Sequence, residues 1–229
     1  MTLGKKLVAL NTMLIIMVAL GVSAVSIWQA TQAINKQMIG VVPGIAADKA
    51  GLIRATLDRN IASITQLALQ PGIRSMNWEK QQPLLNEAVT KLGYMQIGIV
   101  TPDGNTKLND TGTGLNVKDR AYFSEAMAGR INVSDVLIHK EKNIPIMTIA
   151  VPIRNDTEDV VSFILAMFEA SWLSEASDKM GYGEKGYAYI LDGKGAIIAH
   201  PNRDYVLKQR NLIEEGKTNP ELTRVSAMH

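Results

Sequence analysis

The chain has 229 residues, 46% of them hydrophobic, enough to build one large or two small domains around a real core. Twenty-four basic and 22 acidic residues give a net charge of +2, with no basic patch interleaved with aromatics, so nucleic acid is not expected as a partner. There is no cysteine, which removes disulfides, thiolate catalysis and cysteine-ligated zinc, and His139, His200 and His229 are too scattered to form an HExxH-type pair, so neither metal nor cofactor is expected.

Leu7 to Ile27, LVALNTMLIIMVALGVSAVSI, carries no charge. At a rise of ~1.5 Å per residue such a helix covers the ~30 Å hydrocarbon core of a bilayer. Lys5 and Lys6 precede it, so the positive-inside rule puts the short N-terminus in the cytoplasm and everything after Trp28 outside. A cleaved signal peptide is the competing reading, with Val22-Ser23-Ala24 as a small-residue site, but the run is longer than the roughly 7 to 15 residues of a signal core. Residues 1–28 are therefore read as a cytoplasmic tip and transmembrane helix.

Apolar residues then recur in steps of three and four at Ile34, Met38, Val41, Ile45, Leu52 or Ile53, Leu57, Ile61, Ile64 and Ala68, the stripe of a long helix. Pro71-Gly72 stops it, and Pro43-Gly44 inside it predicts a kink or break. The stripe serves either a second copy of the chain, in a homodimer, or the chain's own domain. The long extracytoplasmic helix is assigned to residues 29–78, with a second amphipathic stretch at Trp78 to Leu92.

The periodicity changes after Leu92. Tyr94 to Thr101 reads as a strand, Pro102-Asp103-Gly104-Asn105 as a turn, and Thr106 to Asn109 as its pairing strand. Asp119 is placed to cap a short helix from about Arg120 to Ala128, closed by Gly129. Strands follow at Ile131 to Lys140, Pro145 to Arg154 and Val160 to Phe168, the first two joined by the polar turn Glu141 to Ile144. This order predicts an α+β, PAS-like antiparallel sheet module with helices on one face, spanning 79–180. After a helical stretch from Glu169 to Met180, Gly186 to His200 repeats the plan of strand, Asp/Gly turn and strand. Residues 181–229 are read as the start of a second, incomplete module and the whole as the N-terminal part of a longer protein.

The membrane span and long helix, the DRAYF corner at Asp119 to Phe123, the VSD and TIAVPI strands and the GYAYILDGKGAIIAHPN segment, taken in this order, resemble the double Cache sensor domain of bacterial methyl-accepting chemotaxis receptors. Sensor histidine kinases and diguanylate cyclases carry similar domains, so a kinase or cyclase output is the alternative to a chemoreceptor. The resemblance covers roughly residues 7 to 210. It implies a receptor in the bacterial inner membrane whose extracytoplasmic, membrane-distal module takes a small-molecule ligand and whose membrane-proximal module passes the change onward.

Within that frame Arg120 is the first candidate ligand contact, because a guanidinium pairs bidentately with a carboxylate and stays charged. Tyr122 is assigned to the ligand and Phe123 to the core, while Asp119 is weighed as a ligand partner against its capping role. On the strands Ser134, Asp135, His139 and Thr148 are polar candidates; alternation lets only one of Ser134 and Asp135 point inward. His139, beside Lys140 and a turn, fits a solvated position better than a pH-sensing one. Amino-acid binders of the family resemble one another in a leading Tyr and in an Asp on the third strand that neutralises the α-ammonium. Aligned through SWLSE, those positions are Leu115 and Met167 here, so the ammonium partner is missing and a small carboxylate or other anionic or polar metabolite is expected. No nucleophile elbow, spaced carboxylate pair or phosphate loop suggests an enzyme.

Overall fold

The computed structural model describes residues 3–139, 142–181 and 186–219. The expected strand end at Lys140, the turn residue Glu141 and residues 220–229 of the second module lie outside the described residues, as do the side chains of Leu7 and Met38. The chain divides into two compact units, Met1–Asp48 and Lys49–His229.

The first unit is helical throughout its described residues. Helix α1 (Leu3–Ala68) begins in it, and its window Leu10–Ile34 is long and apolar enough to cross a membrane. Its large apolar side chains, from Leu10 to Trp28 and on to Ile34, are exposed. The helix is assigned without interruption through Pro43, so the break foreseen there is absent; proline deletes one backbone hydrogen bond, and the flanking turns keep theirs.

In the second unit, α1 ends by entering a core. Ile64, Leu67 and Ala68 are buried, and Ile53, Leu57 and Ile61 pack beside them; Ile53, and not the exposed Leu52, continues the stripe. A single turn, α2 (Pro71–Arg74), starts on Pro71, where the missing N–H costs nothing. Helix α3 (Trp78–Leu92) has the predicted bounds, and both ends have local causes: the Asn77 side chain accepts from the Glu79 N–H, and Gly93 closes the helix at φ 73°.

Six strands form one sheet: β1 (Gln96–Val100), β2 (Thr106–Leu108), β3 (Asn132–Val133), β4 (Leu137–Ile138), β5 (Pro145–Arg154) and β6 (Val160–Glu169). Their order is β2-β1-β6-β5-β3, with β4 also on β5, and every pairing is antiparallel. Strands β5 and β6 are apolar on both faces. Met147, Ile149, Val151 and Ile153 join Ile164, Ala166 and Phe168 under α1, α2 and α3. The alternate residues Ala150, Phe163 and Leu165, with Val100 of β1, pack against Tyr122, Phe123 and Ala126 of a short helix, α4 (Ala121–Met127). Helices therefore cover both faces of the sheet, where sequence patterning predicted one. A strand with two buried faces does not show which helix takes which.

Helix α5 (Ser171–Asp178) leads to a separate hairpin, β7 (Ile190–Leu191) with β8 (Ile197–Ala199), followed by α6 (Arg203–Leu207) and α7 (Leu212–Gly216). Both Asp/Gly turns form as predicted. Asp103 accepts from the Asn105 N–H and side chain, and Asp192 accepts from the N–H groups of Lys194 and Ala196.

A buried polar knot ties α3 to the sheet. Asn109 accepts the Ile97 N–H at 3.0 Å, donates to Asn86 at 3.0 Å, and offers its carbonyl to Gln82 at 3.1 Å. Replacing Asn109 by Ala strands the Ile97 N–H and is expected to destabilise the fold by about 2 kcal/mol in denaturant unfolding; a loss under about 0.5 kcal/mol would show that water or a shifted neighbour satisfies it.

Candidate functional site

Arg120, Tyr122 and Asp119, three of the candidates suggested by sequence, lie at the start of α4. The approach to it is built by the loop before α4. Gly104 accepts the Val117 N–H at 2.9 Å, and Asn116 bonds Asp103 and Asn105, which lays residues 116–118 over the β1–β2 turn. A Cβ on Gly104, at φ 88°, would stand 2.6 Å from Lys118 Cβ, so this close approach needs glycine. Val117 then accepts the Arg120 N–H at 3.0 Å, and α4 starts at Ala121.

That turn corrects the role given to Asp119. The N-cap residue is Arg120, whose side chain makes no capping bond, and Asp119 lies one step outside the helix. The Asp119 carboxylate instead stands 3.7 Å from Arg120 Nε, with both side chains well exposed, at 78% and 49%. Tyr122 and Phe123 are both buried, so the division of one to ligand and one to core is blurred; Phe123 meets Phe163 edge-on at 5.8 Å. Burial pushes the Tyr122 hydroxyl above the usual phenol range, and the charges of Arg120 and Asp119 act on it in opposite directions, so the three groups form one cluster at the start of α4.

Thr148, on β5, lies on the same face as Ala150. It is 3% exposed, and its Oγ1 has no hydrogen-bond partner among the described residues. Its cross-strand neighbour is Met167, which in turn pairs with Gln96. Thr106, opposite Val100, is a second buried hydroxyl without a partner among the described residues, and sequence reasoning did not single it out. Leu115, which the resemblance matches to the family's leading tyrosine, is 79% exposed.

The strand expected over Ile131 to Lys140 is two short pieces, β3 and β4, separated by Ser134, Asp135 and Val136. Ser134 causes the break. Its N–H bonds the Thr148 carbonyl at 2.9 Å, but its Oγ accepts the Thr148 N–H at 3.0 Å and donates to the Asp135 carbonyl at 2.7 Å. A side chain has taken the place of a backbone acceptor, so the alternation used to choose between Ser134 and Asp135 does not apply. Asp135 points to the β7–β8 turn, where its carboxylate holds Lys194 at 2.7 Å. His139 shapes the β4–β5 turn, its Nδ1 accepting the Lys142 N–H at 3.2 Å.

Two clefts lie away from the α4 start. One, of about 180 Å³, is lined by Thr65, Arg74, Gly129, Val151, Arg154 and Glu158. The other, of about 130 Å³, lies between the β3–β4 break and the β7–β8 hairpin and is lined by Asp135, Val136, Asp192, Ile197, Val206 and Gln209. Asp135 is thus in a cleft, but not with Arg120 and Tyr122. Arg74 was not foreseen: it donates to the carbonyls of Arg154 and Asn155 and clamps α2 to the β5–β6 turn, a contact across eighty residues of chain with no local signature.

The family model for the Cache domain matches residues 27–227. Comparison with curated protein sequences gives no match. Among solved structures, the ligand-binding domain of the Pseudomonas aeruginosa amino acid chemoreceptor PctC, in complex with GABA, superposes with a TM-score of 0.65 at 18% identity, over 79% of this chain and 82% of that one. The ligand-binding domain of the Pseudomonas fluorescens chemoreceptor CtaA, with L-serine, gives 0.61 at 17% identity, over 75% and 74%. That of the Campylobacter jejuni chemoreceptor Tlp3, with 4-methylisoleucine, gives 0.58 at 14% identity, over 71% and 69%. At such identities the likeness is one of fold. With the family model spanning residues 27–227 of the 229 and the α+β architecture in agreement, the chain belongs to the Cache domain family.

Proposed function

We propose that this chain is the sensing region of a transmembrane receptor of the chemoreceptor kind, with residues 10–34 in the bacterial inner membrane and the Cache modules outside the cytoplasm. The ligand is a small anionic or polar metabolite, bound on the sheet face beneath α4. Residues 79–180 act as the membrane-distal, ligand-taking module and 181–219 as part of the membrane-proximal one, with the helix before them available to pair with a second copy of the chain.

The buried Thr148 hydroxyl, which has no hydrogen-bond partner among the described residues, carries this reading. Water-free burial of a hydroxyl without a hydrogen bond costs on the order of 1–3 kcal/mol, and a ligand that bonds it recovers that cost. Arg120 supplies the positive charge on the same side of the sheet, and Tyr122 beside it supplies a ring and a hydroxyl. The solved relatives of this fold hold GABA, L-serine and 4-methylisoleucine, all of which carry a carboxylate. Met167 in the position of the ammonium-binding Asp favours a carboxylate without an α-ammonium. A second reading is supported by the Asp119–Arg120 pair: once Asp119 is not a cap, the two could hold the opposite ends of a zwitterion.

Thermal melting separates the readings. Succinate or acetate at saturating concentration is expected to raise the melting temperature of the wild type, by the equivalent of about 2.7 kcal/mol at a hundred times Kd, and to leave Arg120→Ala unmoved. A rise with L-serine or GABA alone would overturn the carboxylate reading in favour of the zwitterion. Thr148→Val keeps the shape and removes the orphan hydroxyl, so without ligand it is expected to gain about 1 kcal/mol, a few degrees in melting temperature, and to lose the response to ligand. A clear loss of stability would mean that the hydroxyl already has a partner.

A further inference from the structure

The second module touches the first at two places that differ in kind. One is α5, where Ser177 Oγ donates to the Ala188 carbonyl at 2.6 Å and Ser174 Oγ accepts the His200 N–H at 3.3 Å. Both serines are buried, so this attachment is a fixed one. The other is the break between β3 and β4. There Lys194 Nζ reaches the Asp135 carboxylate at 2.7 Å, and Gln209 Nε2 donates to the Val136 carbonyl at 3.2 Å. The Lys194 and Asp135 side chains are largely exposed, and an exposed pair of this kind is weak enough to be remade by a small displacement. Gln209 itself sits at φ 46°, an uncommon backbone state for a residue with a side chain.

Ser134, the first residue of the same break, holds Thr148 from the other side. Both backbone groups of Thr148 are bonded to Ser134, the carbonyl to its N–H and the N–H to its Oγ, and that Oγ also donates to the Asp135 carbonyl. A displacement of Thr148 therefore moves the hydroxyl of Ser134, which moves the peptide whose neighbours are gripped by Lys194 and Gln209. An unbroken strand would have met Thr148 with ladder bonds alone and left no side-chain link to the next residue.

We propose that the Ser134-Asp135-Val136 break is the coupling element between the ligand face and the second module: occupancy at Thr148 is read out as a change at Lys194 and Gln209. This rests on the reading that the α4 face takes the ligand, but the coupling itself is testable without any ligand, because coupling between two sites is reciprocal.

The test is hydrogen exchange on the full chain in lipid nanodiscs. Ser134→Ala removes the link and is expected to speed exchange at Thr148 and, about fivefold, over residues 192–210, while residues 97–100 of β1 stay as in the wild type. Gln209→Leu combined with Lys194→Gln, made in the second module, is expected to speed exchange of the Thr148 amide by a similar factor. Acceleration confined to 132–149 in the first variant, or no change at Thr148 in the second, would overturn the proposal. So would a uniform rise that includes 97–100, which signifies global loosening. Failure of the ligand reading would appear instead as the absence of a melting shift with these exchange effects intact.

Discussion

The structure depends on one constraint, the ten-residue antiparallel pair β5 and β6, whose side chains are apolar on both sides. Such a pair cannot leave either face to water. One face is closed by α1, α2 and α3, whose contribution runs from Ile53 to Ala88. The other is closed by α4 and by little else, since α4 has only seven residues. The burial of Phe163 and Leu165 thus relies on Tyr122, Phe123 and Ala126, with Val117 of the preceding loop beside them. The same residues that complete the core are those placed beside Arg120.

Polar groups on this face follow from the same constraint. A threonine in a strand otherwise filled by Ile, Met, Ala and Val must either find a partner or remain at a cost, and Thr148 has no partner among the described residues. Thr106 is in the same position, while other buried polar groups are satisfied: Asn109 uses both ends of its amide and its carbonyl, and Tyr94, whose hydroxyl burial has pushed up to about 12, donates to Asn60 at 2.8 Å. What distinguishes Thr148 from Thr106 is that its backbone N–H is held by a side chain. Its backbone is in turn gripped by Ser134, so it is joined to the edge of the sheet that Lys194 and Gln209 reach.

Much of this was legible in the sequence where the cause is local. Helix α3 was read to the residue because Asn77 and Gly93 announce both ends, and the two Asp/Gly turns were read because their side chains fold back on their own backbones. Thr148 was one of four polar candidates named on the strands, with Ser134, Asp135 and His139. What escaped were features set by contacts distant in sequence. The break at Ser134 arises from an N–H fourteen residues away, which no alternation pattern reveals. Asp119 looked like a cap, but the Val117 carbonyl had already fixed the turn so that Arg120 became the N-cap residue. The side of the sheet taken by α4 was invisible because both sides of β5 and β6 are apolar.

The most direct measurement is methyl NMR of the wild-type chain, labelled at threonine and methionine methyl groups, titrated with succinate. If the α4 face takes a small carboxylate, the Thr148 and Met167 methyl signals shift together and saturate, while Thr65, which lines the cleft beside Arg74, stays still. Saturable shifts at Thr65 with Thr148 and Met167 unmoved would contradict the account.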